Sequence, residues 1–173
     1  LKTGRLVVPI WLSLGTGGHA HRPSVTSTIY SDDLGRIWSR GEIAGPNEGE
    51  WNIPNETCAV QLADGRVLLN MRSESKANRR LLTTSRDGAT GWSKPQFHEQ
   101  LLEPICMASM VRLSEMPASD KNRLLFSNPN NLSRADGKEA PGKGRDRKNV
   151  SVKLSYDESV TWPVSKTVEP GFS

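Results

Sequence analysis

The sequence is poor in the residues that build disulfide frameworks and metal sites. Its 173 residues include two cysteines, Cys58 and Cys106, and three histidines. Two cysteines are too few for a disulfide framework, and their spacing does not match a metal-binding motif. We therefore expect free thiols and predict neither a metal nor a cofactor. His19 and His21 follow a pair of glycines and are expected in a loop that is solvent-exposed or reaches the mouth of a pocket.

Long apolar runs are also missing. No stretch is long enough for a membrane-spanning helix, and no stretch keeps a helical period over three turns. Helices should therefore be scarce, and we predict no membrane span. The chain opens on Leu1 without an initiator Met and stops at Ser173 without a closing element. We expect residues 1–173 to be the central piece of one longer domain, incomplete at both ends.

Positively charged residues are only slightly in excess. The formal net charge is +4, from 23 Lys and Arg against 19 Asp and Glu. The densest basic run, Lys138 to Lys148, lies among Gly and Pro without interleaved aromatic residues, which is typical of a solvated loop. The sequence therefore predicts no nucleic-acid partner, whereas a small anionic ligand is compatible with this charge.

Short segments rich in Val, Ile, Leu and Thr recur along the chain, separated by turn clusters. This pattern predicts an all-β, mostly antiparallel fold. The predicted strands are Arg5 to Leu14, Ser24 to Tyr30, Thr57 to Leu62, Val67 to Met71, Leu81 to Ser85, Ser109 to Leu113, Leu124 to Ser127 and Val150 to Tyr156.

Three of these segments run into the same motif, Ser-x-Asp-x-small-x-x-Trp. The spacing of the three copies is typical of a propeller with one four-stranded sheet per blade. In each copy we expect a hairpin turn in which Ser and Asp bind turn amides while the Trp packs beneath. The motif residues are Ser31, Asp33, Gly35 and Trp38; Ser85, Asp87 and Trp92; and Ser155, Asp157 and Trp162.

A candidate site lies at the open end of a predicted hairpin. The Asp64-Gly65 turn joins the strands that start at Thr57 and end at Met71. Glu56 stands just before the first strand and Arg72 just after the second, so antiparallel pairing brings them to one rim of the sheet. Ordinary surface charges at strand ends are the alternative interpretation.

The three motifs resemble the Asp-box, or BNR, repeat of sialidases. The first copy matches in full, whereas Ala89 and Ser159 replace the preferred Gly in the other two. The segment from Glu56 through the Asp-Gly turn to Arg72 is similar to one in bacterial and lysosomal-type sialidases. The resemblance implies a six-bladed β-propeller, of which this chain supplies about three blades, and an exo-sialidase acting on terminal sialic acids or another anionic sugar. It favours a secreted, periplasmic or lysosomal location.

The resemblance also implies roles for individual residues. Arg72 and Arg147 correspond to arginines that bind the substrate carboxylate, with Arg134 as the other candidate for the third arginine. Glu56 corresponds to the base that activates a tyrosine nucleophile. Cys106 takes a position that either lines the pocket or belongs to the core.

Several of the catalytic and binding side chains of sialidases have no counterpart in the chain. Tyr30 and Tyr156 do not match the nucleophile, which the family places shortly after a Pro-Gly such as Pro170-Gly171. The first arginine and the acid/base Asp are expected before Leu1. The chain alone is therefore expected to be inactive. A non-catalytic Asp-box propeller that binds glycan or protein is the alternative, and hydrolysis is not distinguished from transfer to another sugar.

Overall fold

The computed structural model describes residues 1–15 and 22–172, so His19 and His21 lie outside the described residues. The described residues form β-strands joined by turns and loops. They contain no helix that is long and apolar enough to cross a membrane. The strands are β1 (Leu6–Ser13), β2 (Ser24–Ser31), β3 (Ser39–Arg40), β4 (Thr57–Gln61), β5 (Val67–Met71), β6 (Arg79–Ser85), β7 (Gln96–Leu102), β8 (Ser109–Ser114), β9 (Arg123–Pro129), β10 (Lys148–Ser155) and β11 (Val164–Phe172).

The strands form three antiparallel sheets, each built from consecutive strands. The first sheet has the order β1-β2-β3, the second β4-β5-β6-β7 and the third β8-β9-β10-β11. Every strand in a sheet pairs with its neighbour in the chain, because short turns suffice to join antiparallel strands. The predicted all-β, antiparallel architecture is confirmed, although the first sheet has three strands rather than four.

The first and second sheets are joined partly by buried hydroxyl groups. β2 is rich in Ser and Thr, and its side chains from Ser24 to Thr28 are buried. Ser24 Oγ donates to the carbonyl of Pro54 at 2.9 Å, and Thr28 Oγ1 donates to the carbonyl of Gly88 at 2.7 Å. Since the hydroxyls of Ser24 and Thr28 each have a backbone acceptor in the neighbouring sheet region, burying these two polar groups stabilises the contact instead of weakening it.

The second and third sheets share the larger apolar core. Phe126 and Trp162 form its aromatic part, with ring centroids 5.8 Å apart. β5 is buried along its whole length, including the polar Asn70 within its otherwise apolar sequence. The buried members of this core are Val60, Leu62, Leu68, Leu101, Ala108, Met110, Leu124, Phe126 and Trp162.

Sequence reasoning missed three strands, namely β3, β7 and β11. β3 has only two residues, and β7 reads Gln-Phe-His-Glu-Gln-Leu-Leu, which lacks the Val and Ile run of an inner strand. β11 is exposed at every residue and contains Pro170 and Gly171. Because all three lie at sheet edges, where Pro, Gly and charged residues are tolerated, their composition gave no strand signal.

Candidate active site

Glu56 and Arg72 meet at the open end of the predicted hairpin. The last pair of the β4/β5 ladder is Thr57 with Met71. The pairing continues by one step, because the Arg72 N–H donates to the carbonyl of Glu56 at 2.9 Å. The Nε of Arg72 lies 3.5 Å from Oε2 of Glu56. Glu56 and Arg72 therefore lie together at one rim of the second sheet.

Three oxygen-bearing side chains surround the Arg72 guanidinium. Besides Glu56, Oδ1 of the fully buried Asn55 accepts from Nη1 at 2.7 Å, and Oε1 of Glu74 lies 3.8 Å from Nη2. Glu74 is itself held by Arg22, whose Nε and Nη2 each donate to one of its carboxylate oxygens at 2.9 Å. The Arg72 side chain is only 10% exposed, so these partners fix its orientation.

Asn55, Glu74 and Arg22 are functional candidates that sequence reasoning missed. Asn55 and Glu74 flank the predicted pair in the chain, so their proximity to Arg72 follows from the hairpin register once the hairpin is recognised. No pattern in the sequence connects Arg22, which lies just before β2, to Glu74.

Arg147 lies at the same end of the sheets as the Glu56/Arg72 pair. It directly precedes β10, whose first part pairs with the end of β9 through Val150 and Pro129. β9 in turn ends beside the start of β8. The start of β8 adjoins the start of β4, because the Cys58 thiol donates to the carbonyl of Ala108 at 2.8 Å. The chain path thus brings both predicted arginines to one end.

The Cys106 thiol lies within the electrostatic range of all three predicted charged residues. Burial raises the pKa of this half-buried thiol. The charges of Arg147 and Arg72 lower the same pKa, and the charge of Glu56 raises it further. Since the charges of Glu56, Arg72 and Arg147 all act on the Cys106 thiol, we call these four residues the charged cluster.

A buried ion pair holds the backbone of Cys106. Arg80 and Glu103 contact each other, and both side chains are 0% exposed. Oε1 of Glu103 accepts the N–H of Cys106 at 2.9 Å, and Nη1 of Arg80 donates to the carbonyl of Cys106 at 3.2 Å. Nε of Arg80 also donates to Oδ1 of Asn70 at 2.6 Å. Burial raises the pKa of the Glu103 carboxyl, and the adjacent Arg80 opposes that rise.

Arg134, the other candidate for the third arginine, is hydrogen-bonded to a neighbouring carboxylate. Its Nε and Nη2 donate to the two carboxylate oxygens of Asp136 at 2.8 and 2.7 Å. Its Nη1 donates to the carbonyl of Gly144 at 3.3 Å. The Arg134 guanidinium is therefore hydrogen-bonded within its own loop.

The three Asp-boxes form the predicted hairpin turns, at the end of the sheets opposite to the candidate site. In each box the Ser hydroxyl donates to the Asp carboxylate, at 2.7, 3.0 and 2.8 Å in chain order. The Asp oxygen accepts from turn amides such as that of Thr90, at 2.8 Å. In the second sheet Ser85 pairs with Val67, whereas Arg72 follows Met71 at the other end of β5. The arrangement agrees with a structural role for the boxes.

The tryptophans of the boxes differ in burial, and the expectation for Trp38 is wrong. Trp162 is 5% exposed and belongs to the core, and Trp92 is partly buried. Trp38 is 41% exposed, and its indole N–H donates to the carbonyl of Gly35 at 3.0 Å within its own turn. The motif determines the turn, but burial of the ring depends on the neighbouring sheet.

Both tyrosines of the chain lie at the Asp-box end. Tyr30 directly precedes the first box, and the Arg5 guanidinium lies 4.4 Å from the centre of its ring. Tyr156 lies inside the third box, with Lys121 Nζ 5.2 Å from its ring centre. Neither tyrosine therefore reaches Glu56, as the sequence predicts.

A cavity of about 320 Å³ lies beside the charged cluster rather than within it. It is lined by residues that include Glu50, Asn52, Ser75 and Phe97. Asn52 connects it to the site, because its carbonyl accepts the N–H of Glu74 at 2.8 Å. Within residues 1–15 and 22–172, no three His, Cys, Asp or Glu side chains form a group that could hold a metal ion.

The sequence has relatives among curated sialidases. A sialidase of Micromonospora viridifaciens is 35% identical over 148 residues, which cover 83% of this chain and 20% of that protein. A sialidase of Bacteroides fragilis is 28% identical over 135 residues, which cover 78% of this chain and 22% of that protein. The chain therefore spans about a fifth of the length of these relatives.

The fold has counterparts among solved sialidase structures. Hadza microbial sialidase Hz136 superposes with a TM-score of 0.76 at 28% identity, covering 100% of this chain and 30% of that one. Trypanosoma rangeli sialidase, at 22% identity and a TM-score of 0.61, shares the fold over 90% of this chain and 22% of its own. The three sheets are thus blades of a sialidase-type β-propeller. The family model described as BNR repeat-like domain matches residues 1–172, and the chain belongs to that family.

Proposed function

We propose that the protein carrying this chain is an exo-sialidase, a retaining glycoside hydrolase that removes terminal sialic acid from glycoconjugates. The observation that supports this most directly is the Glu56/Arg72 pair at a blade rim, with Nε and Oε2 3.5 Å apart. The similarity to curated sialidases adds to it. Residues 1–173 are then one part of a single propeller domain, and a sialylated glycan or another anionic sugar is the substrate.

Arg72 and Arg147 bind the carboxylate of the substrate. A guanidinium presents a planar fork of donors that matches a carboxylate, and it stays charged at any physiological pH. The fixed orientation of Arg72 supports this role, since Asn55 holds Nη1 at 2.7 Å. A pre-oriented arginine loses little conformational entropy when the sugar binds.

Glu56 acts as the general base for a tyrosine nucleophile supplied from outside the described residues. In the first step the phenol oxygen bonds to the anomeric carbon and Glu56 takes the phenol proton. The glycosidic bond breaks, and the departing oxygen of the glycan takes a proton from the acid/base Asp that the resemblance places outside residues 1–173. In the second step water attacks the anomeric carbon and gives its proton to the same Asp, while the bond to tyrosine breaks and Glu56 returns its proton to the phenol oxygen. Two displacements at one carbon retain the configuration. Tyr30 and Tyr156 lie at the Asp-box end, so the chain alone is expected to be inactive.

The test uses the longer protein that contains this segment and a fluorogenic sialoside. Glu56→Gln should lower kcat by at least about a hundredfold with little change in KM, because the amide keeps a hydrogen bond but accepts no proton. Glu50→Gln is the control, since Glu50 lines the neighbouring cavity, and it should retain activity. Full activity of Glu56→Gln would remove Glu56 from the mechanism. Glycan binding without turnover in the wild type would instead support a non-catalytic binding propeller.

A further inference from the structure

Three segments of the candidate site meet at one buried side chain, that of Asn78. Its Oδ1 accepts from the N–H of Gly142 at 3.1 Å and from Nη2 of Arg145 at 3.2 Å. Its Nδ2 donates to the carbonyl of Glu103 at 3.0 Å. Asn78 is 4% exposed. A single carboxamide thus connects the segment after Arg72, the segment before Cys106 and the loop before Arg147.

Gly142 lies unusually close to the segment after Arg72. A Cβ atom at this position would lie 2.8 Å from the carbonyl oxygen of Glu74, which is backbone and has little freedom to move aside. Gly142 also has a φ of +69°, which side-chain-bearing residues rarely adopt. Position 142 therefore requires glycine for two reasons: its positive φ and the close approach of the Glu74 carbonyl.

The loop that leads to Arg147 is stiffened on both sides of this contact. The Arg145 N–H donates to the carbonyl of Pro104 at 3.0 Å, and its Nη1 donates to the carbonyl of Ala140 at 2.8 Å. Nδ2 of Asn131 donates to the carbonyls of Ser133 and Asp146. Because the loop is internally braced, a displacement at Gly142 would be transmitted to Arg147, five residues further along, rather than absorbed.

We infer that Asn78 and Gly142 are positioning residues that set the separation between Arg72 and Arg147, and hence the fit of the two guanidinium groups to one carboxylate. The inference rests on the proposed function, since it assigns these arginines to a sugar carboxylate. Two guanidinium groups that bind the same carboxylate must be placed within about 0.5 Å of the productive geometry. Displacement of a positioning group by about 1 Å costs up to a hundredfold in rate or affinity.

The experiment compares Gly142→Ala with Gly137→Ala in the longer protein. Both glycines lie in the same loop with similar positive φ values, +69° and +64°, but a Cβ at Gly137 meets nothing within 4 Å. The two variants thus share the backbone strain, and only the first displaces the loop from Glu74. The affinity for N-acetylneuraminic acid and for its carboxamide analogue is measured for each, together with the melting temperature.

We expect the wild type to bind the acid more tightly than the carboxamide. In Gly142→Ala the affinity for the acid should fall about tenfold or more, while that for the carboxamide changes little, so the preference for the acid collapses. Gly137→Ala should keep that preference within about twofold. A wild type without any preference for the acid refutes the sialidase proposal, and with it this inference. A wild-type preference that Gly142→Ala retains as fully as Gly137→Ala refutes the inference alone.

Variants of Asn78 test the same inference if Gly142→Ala does not fold. Asn78→Gly removes the carboxamide but tolerates the φ of +47°, so it should reproduce the loss of the acid preference. Asn78→Asp keeps the acceptor for Gly142 and Arg145 and should restore part of it. Asn122→Ala is the control, because Asn122 Oδ1 likewise accepts a loop N–H, that of Met116, at 2.9 Å but near the Asp-box end. An unchanged acid preference in Asn78→Gly would also overturn the inference.

Discussion

Arg80 and Glu103 form an ion pair in which neither side chain is exposed to solvent. Arg80 comes from β6 in the second sheet, and Glu103 follows β7 at the passage to the third sheet. The pair binds both the N–H and the carbonyl of Cys106. A buried charge is tolerated only when it is paired and hydrogen-bonded, and here the same bonds that satisfy the charges also fix the wall of the candidate site.

Removal of one partner should therefore destabilise the protein strongly. Arg80→Met should lower the free energy of unfolding by about 3–5 kcal/mol, because Glu103 is left buried without its counter-charge. The double variant Arg80→Met/Glu103→Leu should recover much of this loss. Arg79→Met is the control, since Arg79 pairs with Glu99 at the surface and such pairs contribute about 1 kcal/mol or less. Denaturant unfolding measures all three, and equal losses for Arg79→Met and Arg80→Met would contradict the expectation.

The tryptophans of the Asp-boxes should differ in their contribution to stability. Trp162→Ala should lower the free energy of unfolding by about 3–5 kcal/mol, because the 5% exposed ring packs in the core against Phe126. Trp38→Ala should cost clearly less, since its ring is 41% exposed. Thermal unfolding of both variants gives the comparison. A loss for Trp38→Ala as large as that for Trp162→Ala would restore the interpretation that all boxes bury their ring.

The hairpin with Glu56 and Arg72 could be predicted because its signals are local. The alternating residues of β4 and the Asp64-Gly65 turn set the register, and the register alone places the two charges opposite each other. The Asp-box turns are local in the same sense, since Ser and Asp accept from backbone N–H groups two to four residues away.

The contacts between sheets could not be predicted in this way. In the sequence, Arg80 looks like an ordinary surface charge that follows Arg79 at the start of a strand. Its burial depends on Glu103, which comes from another segment. The Asn78 contact to Gly142 joins residues far apart in the chain. The exposure of Trp38 likewise depends on what lies across the turn. Each of these features is decided by tertiary packing, for which a single sequence carries no periodic signal.

The Asp-boxes should make stability sensitive to acid. Burial pushes the pKa of the Asp87 carboxyl upward, but hydrogen bonds from the N–H groups of Thr90 and Ala89 outweigh it and hold the pKa well below its usual range. A carboxyl whose pKa is depressed in the folded state stabilises the fold above its unfolded pKa, about 3.9. That stabilisation is lost as the pH falls toward the folded pKa, because the unfolded chain binds more protons.

Asp87→Asn should therefore flatten this dependence. The variant should melt at a lower temperature than the wild type at pH 6.5, because the amide is a weaker acceptor for the turn N–H groups. Between pH 6.5 and 3.5 its melting temperature should fall less than that of the wild type, because one titrating group is gone. Parallel curves for the two proteins over this range would show that Asp87 does not contribute to acid sensitivity.

The assignment of the third arginine predicts opposite results for two residues of one loop region. Arg147→Ala should raise KM for a sialoside about tenfold or more, with a smaller change in kcat, because it removes a contact made to the carboxylate in both the ground and the transition state. Arg134→Ala should leave KM within about twofold, since Arg134 is already bound by both oxygens of Asp136. Arg147→Lys should recover only part of the loss, because an ammonium lacks the planar fork. Steady-state kinetics of the longer protein decides between Arg147 and Arg134. A KM raised by Arg134→Ala but not by Arg147→Ala would make Arg134 the third arginine.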